Sequence, residues 1–211
     1  MEGQRLADQG ADKPLLGVWF ANEKTGYVVG VFNLILRTDD GGQTWTPYQD
    51  RTENPQGFHL NAIASTGDSV YIAGEQGLLL KWDDSAQRFA AVPTPYQGSF
   101  FGVVGQPGEV LVYGLRGNVL RSTDGGQNWT ALDSGLHVSI TAGLIDDHGN
   151  YRLFTQGGQM LVSQGTGAQM RLTQQPARAP VAGATQSADG ALVVAGSRGA
   201  QTLTVDPALE P

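Results

Sequence analysis

The chain carries carboxylates at a fixed place in a motif that occurs twice in its 211 residues. The motif is Ser/Thr-x-Asp-x-Gly-x-x-Trp, known as an Asp box. A carboxylate in a defined loop could act as a catalytic acid or base, or as a Ca²⁺ ligand. It could equally accept backbone N–H bonds and hold a tight turn, and we expect this structural role. The residues concerned are Thr38, Asp40, Gly42 and Trp45 in the first copy and Ser122, Asp124, Gly126 and Trp129 in the second.

Two arginines occupy equivalent places in the chain. Arg116 and Arg198 each stand two residues after a glycine that ends an apolar run. A guanidinium group binds a carboxylate through two parallel N–H donors, so such residues on one surface could hold acidic groups of a partner. The alternative is that both are ordinary solvated turn residues. Arg51 and Glu75, in other connections, are further candidates for contact with a partner.

The two motif copies belong to a longer internal repeat. A worn copy between them has Asp84 and Phe89 at the acidic and aromatic positions, and a weaker echo covers residues 163–170. Each unit also holds an apolar run, a glycine, a short turn and a second apolar run, which is typical of antiparallel strands. A period of about 40 residues is that of β-propeller blades. We therefore predict an all-β propeller, a single domain over residues 15–206, with five units near 15–57, 58–98, 99–137, 138–178 and 179–206.

The register of the repeat assigns the motifs to surfaces. Every Asp box should lie on one rim of the ring, and the turns with Arg116 and Arg198 on the opposite rim. The ring of Trp129 should then cover its hairpin and be largely buried between blade sheets. The connection over residues 47–58 is the longest, and long loops on a rigid scaffold are common binding elements.

The two ends of the repeat are incomplete. The fifth unit supplies three strands and lacks the fourth, and residues 1–14 are too polar to replace it. Residues 207–211 read as a short tail. We expect an arc of a seven-bladed ring with open edges, which upstream blades, a partner chain or self-association would cover.

Composition excludes several classes of function. A formal net charge of −7 disfavours nucleic acid as a partner. The absence of cysteine and the scatter of the three histidines predict neither a metal site nor a cofactor. No apolar run approaches the roughly 18 residues of a membrane span. The polar start of the chain has no features of an export signal.

The Asp boxes and the glycine register together resemble the photosystem II stability/assembly factor-like family of BNR-type propellers. The resemblance covers residues 15–205 and is carried by segments 14–21, 36–45, 58–63, 98–103 and 114–119. It implies a non-catalytic scaffold, usually with seven blades, that binds a protein. In photosynthetic organisms the implied partner is a subunit of an early photosystem II intermediate. The resemblance also implies a periplasmic or thylakoid-lumen setting, or an exported accessory protein of envelope complexes in other bacteria.

The alternative function is a glycan-binding or sialidase-like propeller, because Asp boxes also occur in sialidases. Hydrolysis of a sialoside needs converging arginines, a nucleophile pair and an acid–base carboxylate. No residue set in this chain has that spacing, so we expect no catalytic residues.

Overall fold

A computed structural model describes residues 13–163, 170–173 and 179–203, and these residues form five antiparallel sheets. Blade 1 contains β1 (Leu15–Phe20), β2 (Gly26–Gly30), β3 (Ile35–Thr38) and β4 (Thr46–Pro47). Blade 2 contains β5 (Leu60–Ser65), β6 (Val70–Gly74), β7 (Leu79–Asp83) and β8 (Arg88–Ala91). Blade 3 contains β9 (Phe100–Gln106), β10 (Glu109–Gly114), β11 (Val119–Ser122) and β12 (Thr130–Leu132). Blade 4 contains β13 (Ile140–Ile145), β14 (Tyr151–Thr155), β15 (Met160–Ser163) and β16 (Met170–Thr173), and blade 5 contains β17 (Val181–Gln186), β18 (Leu192–Gly196) and β19 (Gly199–Leu203).

The first strand of each blade lies innermost. Strands β1, β5, β9, β13 and β17 pack on one another in succession and line one central channel of about 390 Å³. Within the described residues the helical segments are a 3₁₀ turn at Gln49–Arg51 and a short turn at Leu115–Gly117, where Arg116 has left-handed φ and ψ of +58° and +31°. Neither could cross a membrane. The prediction of an all-β propeller with five visible blades is confirmed.

Blades are joined by apolar clusters between facing sheets. Because successive residues of a strand point to opposite faces, the central strands β2 and β14 are buried along their whole length. Tyr27 and Ile35 of blade 1, for example, pack against Leu60 and Ile72 of blade 2. Equivalent clusters join blade 2 to blade 3, blade 3 to blade 4 and blade 4 to blade 5.

A steric constraint explains why a glycine ends the second strand in four of the five described blades. A Cβ atom at this position would collide with the carbonyl oxygen of the residue that precedes the inner strand. The glycines are Gly30, Gly74, Gly114 and Gly196, and the carbonyls belong to Pro14, His59, Ser99 and Pro180, respectively. Thr155 takes this place in blade 4, where its hydroxyl accepts the N–H groups of Gly157 and Gln159.

The face of blade 1 that points away from blade 2 differs from the equivalent face of blade 2. Leu15 and Val18 are 54% and 61% exposed, whereas Leu60 and Ile63, at the same places in blade 2, are buried under blade 1. Among the described strands, β1 and β17 also lack the close packing that joins the other neighbouring inner strands. That the five blades are an arc of a seven-bladed ring stays a prediction.

Blade 5 shows three strands in the part of the chain that the structure describes. Its third strand begins at Gly199, because Gly196 pairs directly with Gly199 across a two-residue turn. Residues 1–12 and 204–211, which bear on the predicted open edges, lie outside the described residues.

Candidate functional site

The carboxylate of the first Asp box is engaged by its own hairpin. Asp40 Oδ1 accepts the Thr44 N–H at 2.9 Å, and Oδ2 accepts the Thr44 hydroxyl at 2.6 Å. The Thr38 hydroxyl donates to Asp40 Oδ1 and accepts the Gly42 N–H. These bonds, those from Thr44 above all, lower the pKa of Asp40 to about 2. The group is therefore ionised at neutral pH and a poor proton donor there.

The second Asp box repeats this geometry. Asp124 accepts the N–H groups of Gln127 and Asn128 at 3.0 and 2.9 Å, and the Ser122 hydroxyl at 2.7 Å. Hydrogen bonds from Asn128 make the largest contribution to a pKa of about 2 for Asp124. Gly126 has a φ of +96°, a conformation that a side chain disfavours. This arrangement is that of a turn staple.

The indole of Trp129 lies at the edge of the interface between blades 2 and 3. Its Nε1–H donates to the Pro93 carbonyl at 3.0 Å, and its ring packs partly against the apolar cluster of these blades. It is only half-buried, contrary to the expectation of a largely buried ring, because it lies over the rim beside the Pro93 segment. Trp45 instead donates to Gly42 of its own hairpin at 3.1 Å.

The worn copy does not reproduce the box. Asp83, not Asp84, caps the hairpin, by accepting the N–H groups of Ser85 and Ala86. Asp84 accepts the Trp82 indole N–H instead. The hairpin between β7 and β8 is shorter than those of the true boxes, so spacing counted back from Phe89 selects the wrong aspartate. Phe89 is buried between blades 1 and 2 and does not cover the hairpin.

The turns between the second and third strands form the rim opposite the Asp boxes, and we call these turns, residues 31–34, 75–78, 115–118, 156–159 and 197–198, the turn rim. Arg116 and Arg198 are both exposed there. Arg116 has a left-handed φ of +58°. Arg198 does not share this conformation, since blade 5 uses a different turn.

Backbone hydrogen bonds hold the turn rim to the inner strands. The N–H of the residue after the second strand donates to the carbonyl that precedes the inner strand of the same blade. The pairs are Val31–Pro14, Glu75–His59, Leu115–Ser99 and Gln156–Ser139, at 2.9 to 3.3 Å.

Glu75 and Arg51, the other two candidates, lie apart. Glu75 is on the turn rim, where its Oε2 accepts the His59 N–H at 2.9 Å and its Oε1 lies 3.4 Å from His59 Nδ1. Arg51 Nη1 lies 3.5 Å from the Gln87 carbonyl, in the hairpin between β7 and β8 on the Asp-box side. The connection after β4 runs along β8, through the Glu53 N–H to the Phe89 carbonyl, and carries Arg51 away from the turn rim.

Phe32 is a turn-rim residue that the sequence did not single out. It is 67% exposed and lies edge-on to the His59 ring, with 4.7 Å between centroids. The available signal was its position two residues after Gly30, which is the offset of Arg116 from Gly114.

The central channel is uncharged. Each inner strand has a β-bulge near its start, and the five bulged residues line the channel: Leu16, Asn61, Phe101, Thr141 and Ala182. Asn61 Nδ2 donates to the Phe100 carbonyl at 2.8 Å, and the Thr141 hydroxyl donates to the Val181 carbonyl. Among the described residues that line it, none is an arginine or a carboxylate, so it lacks the groups that sialidase chemistry needs.

Comparison with protein families gives one match over nearly the whole chain. The family model described as photosynthesis system II assembly factor YCF48 matches residues 5–210. The photosystem II assembly lipoprotein Ycf48 of Synechococcus sp. (strain CC9902) is 29% identical over 136 residues, which are 63% of this chain and 39% of that protein. The chloroplastic photosystem II stability/assembly factor HCF136 of Arabidopsis thaliana is 28% identical over 74 residues, which are 34% of this chain and 18% of that protein. The chain thus spans well under half the length of these relatives.

Solved structures share the fold. YCF48 bound to a D1 peptide superimposes with a TM-score of 0.68 at 21% identity, covering 86% of this chain and 60% of that one. YCF48 from Cyanidioschyzon merolae gives 0.69 at 20% identity, covering 93% and 69%. Virginiamycin B lyase from Staphylococcus aureus gives 0.74 at 13% identity, covering 94% and 73%. At these identities the likeness concerns the propeller alone.

Proposed function

The chain belongs to the family of the photosynthesis system II assembly factor YCF48, and from that premise we propose that it is a non-catalytic propeller that binds a segment of a membrane-complex subunit. The family membership confirms the resemblance found in the sequence. One solved relative binds a D1 peptide, and we extend that kind of ligand, a peptide of a larger complex, to this chain.

The observation that carries the proposal is the exposure of Arg116 and Arg198 on the turn rim. The chain is acidic overall, with a net charge of −7, so two exposed guanidinium groups on one rim are a local feature of opposite sign. Guanidinium groups bind carboxylates in a defined geometry, and charge complementarity directs a partner to the correct face. Glu75 belongs to the same surface, where it holds His59, and Arg51 does not.

The state of the carboxylates supports a non-catalytic role. The Asp-box carboxylates are held in their hairpins and have pKa values near 2. A general acid that works at neutral pH needs a raised pKa instead. Among the described residues that line the central channel, none is a carboxylate or an arginine. One solved relative, YCF48, is bound to a D1 peptide.

Peptide binding tests the proposal. Overlapping fluorescent peptides that cover the D1 sequence are titrated with the full chain, and polarisation reports the dissociation constant. We expect at least one peptide to bind and Arg116→Ala/Arg198→Ala to weaken it about tenfold, the loss of roughly 1.4 kcal/mol. Arg171→Ala, an exposed arginine on the outer strand β16, is the matched control and should leave binding unchanged.

Two results would contradict the proposal. One is binding that is indifferent to both rim arginines, and the other is the absence of binding by every peptide. Turnover of a fluorogenic sialoside by the wild-type chain, lost in Arg116→Ala, would instead support the glycoside hydrolase alternative.

A further inference from the structure

The first three turn-rim turns share an unusual backbone. In each four-residue turn the N–H of the last residue donates to the carbonyl of the first residue, at 2.9, 2.9 and 3.3 Å. The two central residues are both left-handed: Phe32 and Asn33 at φ +53° and +59°, Gln76 and Gly77 at +54° and +78°, Arg116 and Gly117 at +58° and +75°. These are the values of type I′ turns, which favour asparagine, aspartate or glycine at both places.

The second position of these turns follows that preference and the first does not. Asn33, Gly77 and Gly117 suit the left-handed conformation. Phe32, Gln76 and Arg116 are strained there, and all three side chains are exposed. At an exposed position the burial of apolar surface does not offset the backbone strain. Strained residues cluster at functional sites. Phe32 is the sharpest instance, because a large apolar side chain is both strained and 67% exposed.

The turn that carries Phe32 is held firmly from below. Asn33 Oδ1 accepts the Thr52 hydroxyl and the Asn54 amide, each at 3.0 Å. The His59 ring under Phe32 lies against Glu75. An aromatic side chain has two torsions to fix, so a ring presented by a rigid turn loses little entropy when a partner covers it.

We infer that Phe32 is the apolar anchor of the partner-binding turn rim, and that the partner is a protein segment that carries both a large apolar side chain and, elsewhere along it, a carboxylate. The apolar group covers the ring of Phe32 on blade 1, and the carboxylate meets Arg116 on blade 3. Gln76 on blade 2, between them, offers an uncharged hydrogen-bonding side chain. This inference rests on the proposed function and names the chemistry of its ligand.

Binding and stability are measured together on one variant. Phe32→Asn removes the ring and places a residue that favours the left-handed conformation. The thermal unfolding midpoint should therefore be unchanged or higher, while the tightest D1 peptide binds at least tenfold more weakly. Phe32→Trp keeps a ring and should keep the affinity within about threefold. Leu172→Asn, an exposed apolar residue on the outer strand β16, is the control and should not affect binding.

The outcomes separate this inference from the proposed function. If the arginine variants weaken binding and Phe32→Asn does not, the anchor is refuted and the function stands. If Phe32→Asn and Phe32→Trp weaken binding equally, the ring is not the determinant and the anchor is again refuted. If no D1 peptide binds the wild-type chain, both proposals fail together.

Discussion

The hydroxyl of Tyr71 in blade 2 donates a hydrogen bond of 3.2 Å to the main-chain carbonyl of Gly125, in the Asp-box hairpin of blade 3. Lys81 Nζ reaches the same oxygen at 3.2 Å and lies over the Tyr71 ring. The hairpin that Asp124 staples is therefore also a contact between blades. Loss of the hydrogen bonds to Asp124 should therefore weaken the interface between blades 2 and 3 as well as the turn.

Removal of the Asp124 carboxylate should destabilise the fold. Asp124→Ala frees the N–H groups of Gln127 and Asn128 and loosens the hairpin that bonds Tyr71. We expect the thermal unfolding midpoint to fall by several degrees. Asp50→Ala, an exposed aspartate in the connection after β4, should leave it unchanged. Equal midpoints for both variants would mean that the box contributes nothing to stability.

Stability should depend on pH through the two box aspartates. Their folded pKa values of about 2 lie below the usual value of 3.8. The unfolded chain thus takes up protons first, so their contribution is present above about pH 4 and is lost as the pH falls towards 2. Unfolding midpoints recorded from pH 6 to pH 2 should drop more steeply for wild type than for Asp40→Asn/Asp124→Asn.

Trp129→Ala should cost more stability than Arg116→Ala. The indole packs on the cluster between blades 2 and 3 and bonds Pro93, so we expect a loss of about 2–3 kcal/mol, less than for a fully buried aromatic ring. The exposed Arg116 should change stability by less than about 0.5 kcal/mol. Urea unfolding compares the two, and small equal losses would contradict the blade register.

Gly114→Ala should be destabilising for steric reasons. The added Cβ collides with the Ser99 carbonyl, and overpacking typically costs about 1–3 kcal/mol. Gly183→Ala is the matched control, because this strand glycine has no atom within 4 Å of the added Cβ. Urea unfolding should therefore separate two identical substitutions, and equal midpoints would refute the steric explanation.

The exposed face of blade 1 should promote self-association. Leu15 and Val18 are exposed where the other blades are covered, and exposed apolar sheets associate. Sedimentation velocity should show species larger than a monomer at micromolar concentration, and fewer of them for Val18→Asp. Val138→Asp, at an exposed apolar residue of another blade, serves as the control. A monomer at every concentration would contradict the expectation of open edges.

Local patterns made much of the fold predictable. Asp40 bonds to groups within four residues, and Gly114 meets the Ser99 carbonyl of its own blade, so the spacing within one repeat locates both. Arg51 was harder to place, because its position depends on how a long connection runs along β8. The spacing of the true boxes predicts Asp84 as the capping residue, and that spacing fails where the hairpin is shorter.

The candidate site was only partly predictable. The offset from a glycine that singles out Arg116 applies equally to Phe32. A phenylalanine after a strand is ordinarily part of the core, so the sequence pattern does not predict its exposure. Its exposure and its left-handed backbone became apparent only in three dimensions.

The bonds between the turn rim and the inner strands use main-chain atoms, as in Val31 to Pro14 and Leu115 to Ser99. A mutation that changes a side chain at a turn tip leaves those bonds in place. The main-chain support of these turns is thus independent of the chemistry of their exposed side chains. The turn rim can therefore change its surface chemistry by single substitutions while these main-chain bonds stay in place.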